Sequence, residues 1–182
     1  MSGSSPSGSP SGDGQAPSVQ AARRWITAVM EEGDWEEAWA LTDEVFRLSQ
    51  IQAWLWPQRA DAELVGEDLD ELAAAMCEEG PDHPLWDDFA DVVLHTYLET
   101  WHEFELDRWS VSGLPRPVAV DYEVVVFSRE EEPIIEMEET LRVARPFLMH
   151  YTPEGWLVAH AGSDRPPVPG WPPEFPPASS TG

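Results

Sequence analysis

The chain has 182 residues, 42% hydrophobic and 25% charged, which fits one globular domain with tails and excludes disorder throughout. Its 35 acids outnumber ten bases, every one an arginine, and the net charge of −25 repels phosphate backbones and anionic headgroups. No apolar run approaches the ~20 residues of a spanning helix. The N-terminus lacks the basic flank and apolar stretch of a secretory signal, and the lone Cys77 excludes an intrachain disulfide, so a cytoplasmic location is expected.

Residues 1–17 are mostly Ser, Gly and Pro, a composition that buries too little to offset its ordering entropy, and disorder is expected there. A single body over 18–162 follows, with 32 acids against nine bases, so the charge belongs to the folded part. Val19, Ala22, Ile26, Val29 and Met30 recur at helical spacing, with Gly33 as the stop. Asp34 and Glu37 read as a capping box for a second helix, whose stripe is Ala38, Leu41, Val45 and Leu48. The run Gln50–Trp56 is expected to end at Pro57. A third helix is expected over Asp68 to Glu79, with Leu69, Leu72, Ala73 and Met76 inward and Gly80-Pro81 as its end. A fourth runs from about Pro84 to Trp101, with Leu85, Phe89, Val92, Val93, Thr96, Tyr97 and Trp101 as its apolar face.

Beyond residue 102 the period falls from about 3.6 to 2. Residues 103–112 read as a strand, and VAVDYEVVVF (118–127) as another, rich in β-branched and aromatic side chains. In 133–145, Ile135, Met137, Leu141 and Val143 alternate with Glu136, Glu138, Thr140 and Arg142. Phe147–Tyr151 and Trp156–Ala161 flank Pro153-Glu154-Gly155, a hairpin signal. Helices followed by a meander of about four strands make an α+β fold, with N-terminal helices packed on a curved antiparallel sheet. Residues 163–182 carry seven of the 18 prolines and read as an extended tail, in which Trp171 and Phe175 are suited to docking on the body.

The helical pair joined by MEEGDWEEAWALTD (30–43) and the late strand EGWLVAHAG (154–162) resemble the NTF2-like family, also called SnoaL-like or cystatin-like cone. The QAWLWP and PGWPP segments are also similar to uncharacterised proteins of high-GC actinobacteria. The resemblance covers about 20–162. It implies a sheet wrapped around helices to form a conical pocket, often in a homodimer. It also implies activities from isomerase, dehydratase, cyclase and epoxide hydrolase to none, so fold alone does not fix function.

Glu139 lies on the apolar phase of its strand between Met137 and Leu141, where desolvation would suit a general acid or base. A strand end, a bulge at Glu138-Glu139 or an ion pair to an arginine explains it more simply. His150 and His160, on successive late strands, would assist as proton carriers or stand as ordinary strand histidines. Asp121 and Glu123 are paired carboxylates if the pocket lies on their side of the sheet. They are solvated if the apolar face of Val118, Val120, Tyr122, Val124 and Val126 packs on the helices. Trp54 and Trp56 are expected at a pocket rim or interface, with Tyr97, Trp101 and Met137 as further pocket candidates. His95, Glu99 and His102 share a helical stripe but read as a solvated face, so no metal is expected, and no nucleotide or serine-hydrolase motif occurs. Two functions follow as expectations. One is a cofactor-independent pocket protein for an apolar small molecule, with Glu139, His150 and His160 as acid–base groups if it is an enzyme. The other is a non-catalytic acidic protein that meets a basic protein partner, a DNA mimic being the special case.

Overall fold

The computed structural model describes residues 15–60, 66–102, 104–111, 113–130 and 142–177. The fold is α+β: five α-helices precede an open, curved antiparallel sheet. The helices are α1 (Pro17–Thr27), α2 (Trp35–Ala40), α3 (Glu44–Gln58), α4 (Leu69–Glu79) and α5 (Trp86–Thr100). The strands are β1 (Ser110–Val111), β2 (Arg116–Ala119), β3 (Tyr122–Glu130), β4 (Arg142–Thr152) and β5 (Gly155–Ala161). The sheet order is β1-β3-β4-β5, with β2 also on β3, five strands among the described residues.

Helix α1 loosens into one π-type turn, Ala28–Glu32, and stops at Gly33, whose φ of 65° is a left-handed cap that glycine adopts without a Cβ penalty. Asp34 caps α2 by accepting from the Glu37 amide. The reciprocal half of the box is missing, because the Glu37 carboxylate pairs with Arg24. The single second helix expected over 34–48 is two helices. Leu41, Thr42 and Asp43 leave the helical path and join the edge of β5: the Val158 amide donates to the Leu41 carbonyl at 2.8 Å, and the Asp43 amide donates to the Val158 carbonyl at 2.9 Å. Asp43 then restarts the chain as the N-cap of α3, accepting from the Val45 amide. Pro57 does not end α3 ahead of itself; it sits in the last turn. Helix α4 begins at its Asp68 cap and ends at Gly80 as the sequence predicts. A Cβ on Gly80 would stand a tight 3.1 Å from Trp39 Nε1, and its φ of 54° also favours glycine.

The sheet differs more from expectation. VAVDYEVVVF is not one strand but the tip of a hairpin: Ala119 pairs with Tyr122 across a turn at Val120-Asp121, where Asp121 takes φ 61°. Aspartate tolerates that left-handed conformation, and the β-rich composition masked the turn. Of 103–112, only Ser110–Val111 is strand among the described residues. The β4–β5 hairpin turns at Pro153-Glu154 as expected. The alternating stripe over 133–141, with Met137 and Glu139, lies outside the described residues.

The helices cover the face carrying Val125, Phe127, Phe147, Met149 and Val158. This is the reverse of the expected packing, since Val124 and its neighbours Tyr122 and Val126 belong to a separate small cluster with Leu148 and Ala159. The core is strongly aromatic. Trp25, fully buried, holds Trp35, Tyr97, Trp101 and Phe147 within 5.2–6.3 Å between ring centroids, mostly edge to face. Its indole Nε1 donates to Thr42 Oγ1 at 2.9 Å, which anchors the α2–α3 break to the core. The proline-rich segment packs back on the helices. Trp171 Nε1 donates to Asp70 Oδ1 at 2.6 Å, and the Gly170 amide donates to Gln52 Oε1 at 2.9 Å.

Candidate functional site

Between α3, α5 and the end of β5 lies a cavity of about 270 Å3. Phe46, Gln50 and Trp54 face it from α3 at spacings of four, which puts them on one helical stripe. Val93 and Tyr97 face it from α5, His160 from β5, and Phe175 closes it from the proline-rich segment. The walls are apolar apart from Gln50, Tyr97, His160 and Thr96, whose hydroxyl donates to the Val92 carbonyl, an arrangement typical of small-molecule sites. Gln50 Nε2 donates to the Tyr97 hydroxyl at 2.8 Å, while Gln50 Oε1 is buried without a partner. Burial raises the Tyr97 pKa, and the bond from Gln50 offsets this only in part.

His160 is 6% exposed, and neither ring nitrogen has a hydrogen-bond partner. Burial pushes its pKa down to about 4, so the ring is neutral near pH 7. A bulge delivers it to this position. Leu148 pairs with His160 while Met149 pairs with Val158, so Ala159 is the extra residue. Without the bulge His160 would oppose Phe147 and enter the aromatic core. With it, His160 stacks on Phe46, with ring centroids 5.1 Å apart and planes 21° apart.

The register places His150 and His160 on one face, since His150 lies two residues from the Leu148 that pairs with His160. The two are nevertheless in different surroundings. His150 Nδ1 lies 2.6 Å from Asp43 Oδ2, and its ring stacks on Tyr122 at 4.3 Å with planes 2° apart. Asp43 is nearly buried, and its other oxygen caps α3. Burial, with Asp43 and Asp121 nearby, raises the Tyr122 phenol.

Of the residues singled out from the sequence, His160, Tyr97 and Trp54 meet at the cavity. His150 stands apart at Asp43, and Trp101 is buried in the aromatic core. Trp56 lies under Trp171, with the Arg59 guanidinium 3.9 Å over its ring. Asp121 is an exposed turn residue. Glu123 pairs with Met149, on the helix-covered side rather than on an outer acidic face. Asp121 and Glu123 are therefore not a carboxylate pair on one strand. Glu139 and Met137 lie outside the described residues. The His95–Glu99 contact of 3.1 Å joins two side chains that are each 70% exposed, and no group of three or more His, Cys, Asp or Glu is placed to hold a metal among the described residues. Sequence reasoning missed Gln50, Phe46 and Asp43, and it read Phe175 as a docking residue without placing it at the cavity. A glutamine on the apolar phase of α3, one turn from both Phe46 and Trp54, was the available signal for the first.

No family model, no curated protein and no solved structure matches the chain.

Proposed function

We propose that the protein binds a small, largely apolar molecule, a neutral hydrogen-bonding group of which enters the cavity between α3, α5 and the end of β5. The observation that carries this is the orphaned polarity of the wall. A buried histidine with two unpartnered nitrogens and a buried amide oxygen with none are costly in a folded protein unless something else meets them. We read the scaffold as a pocket protein of the NTF2-like type, supported by helices that precede and cover one face of a curved meander, and by the Gly33-Asp34 break between its first two helices. Binding is favoured over turnover, because a ring as weakly basic as His160 accepts a hydrogen bond readily but takes up a proton poorly at neutral pH. Isomerase, dehydratase or cyclase chemistry would need a further base, the role the sequence suggested for Glu139.

A fluorescence titration with the neutral apolar probe N-phenyl-1-naphthylamine tests the reading. Saturable one-to-one enhancement is expected with the native chain. Filling the cavity with Ala53→Phe, where Ala53 is half-buried and faces the site, should weaken it about tenfold or more. If the native chain gives no saturable signal, or the filled variant binds as well, the cavity is not a binding site.

A further inference from the structure

The cavity does not end at Trp54. A second hollow of about 710 Å3 continues from it along the same two helices, and Ala53, Trp54 and Val92 line both. Its floor is apolar, with Leu72 and Leu85 beside Trp54. Its rim is acidic: Glu67 before α4, and Asp88 and Asp91 one turn apart on α5. No arginine lines either hollow among the described residues. Val92, between the two, is 50% exposed, a large apolar side chain left open at the junction. The trough therefore has exposed acidic side chains at one end and, at the other, neutral groups that lack partners.

We infer that the ligand is an organic cation, with its ammonium group at Asp88, Asp91 and Glu67, its apolar body along Trp54 and Val92, and a neutral polar group at Gln50 and His160. This rests on the small-molecule reading above and names the class of molecule. Acidic side chains alone would not support it in a chain so rich in them. The independent support is the inner end, where His160 and Gln50 are each more than nine-tenths buried and short of partners. Gln50 Oε1 can only accept, while the neutral imidazole offers one donor and one acceptor nitrogen. A hydroxyl or amide, which both donates and accepts, satisfies these groups. A carboxylate leaves Gln50 Oε1 unpaired and lies in an acidic field. The helix rise sets the length. Asp91 to Tyr97 spans about 9 Å along α5, and Asp88 to Tyr97 about 14 Å. The two polar ends of the ligand are thus separated by roughly that range.

A matched pair of probes separates this inference from the reading beneath it. 4-(4-Aminobutyl)phenol and 4-(4-hydroxybutyl)phenol share the phenol and the chain and differ in ammonium against hydroxyl. Calorimetric titration of the full chain should show the amine about fivefold tighter at low salt, a preference that shrinks towards unity near 0.5 M salt. D88N/D91N should bring the amine down to the affinity of the alcohol. E154Q/D107N, which removes the same charge from surfaces outside the trough, should keep the preference. If neither probe binds, the small-molecule reading fails and the inference with it. If both bind equally, the cavity stands and the cation assignment fails. If the preference survives D88N/D91N or vanishes in E154Q/D107N, it belongs to the field of the whole chain, and the assignment is likewise overturned.

Discussion

Two histidines on one face of the β4–β5 hairpin sit under the first turn of the same helix, yet they live in opposite chemical worlds. His150 has everything an imidazole wants: a carboxylate at 2.6 Å and a tyrosine ring stacked flat against it. His160 has a phenylalanine ring and no hydrogen bond. The partners are Asp43 and Phe46, three residues apart on α3, so one helical turn decides both environments. The difference teaches that a satisfied polar residue holds a fold together, whereas an unsatisfied one beside a cavity is held ready at a cost.

The largest effect is expected from acid. The folded pKa of His160 is lowered to about 4, from an ordinary value of 6.5. The unfolded chain therefore takes up a proton first as pH falls. The stability present above pH 6.5 is lost progressively between 6.5 and 4, by on the order of 3 kcal/mol. Comparing urea unfolding of the native chain with H160L across that window isolates this group from the titrating carboxylates, and parallel curves would show that His160 is not a buried neutral ring. Next comes Asp43→Ala, which removes the α3 cap and strands the His150 ring. A loss of about 2 kcal/mol is expected, and in the D43A background a further His150→Ala change should cost much less than it does alone. If the two losses simply add, the pair is not coupled.

His160→Leu at pH 7 should move in the other direction. An apolar side chain of similar bulk ends the orphaned polarity and should gain about 1 kcal/mol, while weakening the phenol probes by removing their inner partner. A destabilised variant would mean that the ring has hydrogen bonds of its own. The smallest effect belongs to the strap. Trp171→Phe loses the indole bond to Asp70 and should cost about 0.5 kcal/mol. Hydrogen exchange at the Gly170 amide, which donates to Gln52, is the sensitive readout, and unchanged protection there would show that the strap does not depend on Trp171.

Much of the helical half was legible because its signals are local. Gly33, Asp34, Asp68 and Gly80 punctuate the chain through their own backbone preferences, and the structure uses each as read. The break at Leu41–Asp43 was not legible, because its cause is not local: those residues leave the helix to bond Val158, more than a hundred positions away. The hairpin inside VAVDYEVVVF was hidden for a related reason. Its turn is made by a single aspartate at positive φ, set in a sequence whose propensity is uniformly β. The turn takes Asp121 off the strand, and the helices cover the Val125 and Phe127 side of β3, which period alone does not reveal. At the site, His160, Tyr97 and Trp54 were named from type and phase, but not as neighbours. Their meeting depends on a one-residue bulge at Ala159 and on Phe175 from the proline-rich segment, neither of which leaves a periodic trace.

The bonds between Leu41, Asp43 and Val158 have one more consequence. β5 is the last strand of its sheet, and a bare outer row of amides and carbonyls is a template on which a second molecule can build. Here the chain spends the gap between two helices on occupying the middle of that row, which guards against intermolecular pairing as well as turning a corner. An insertion of two residues at 41–43 would draw this cover away and open the middle of β5 to pairing with a neighbouring molecule.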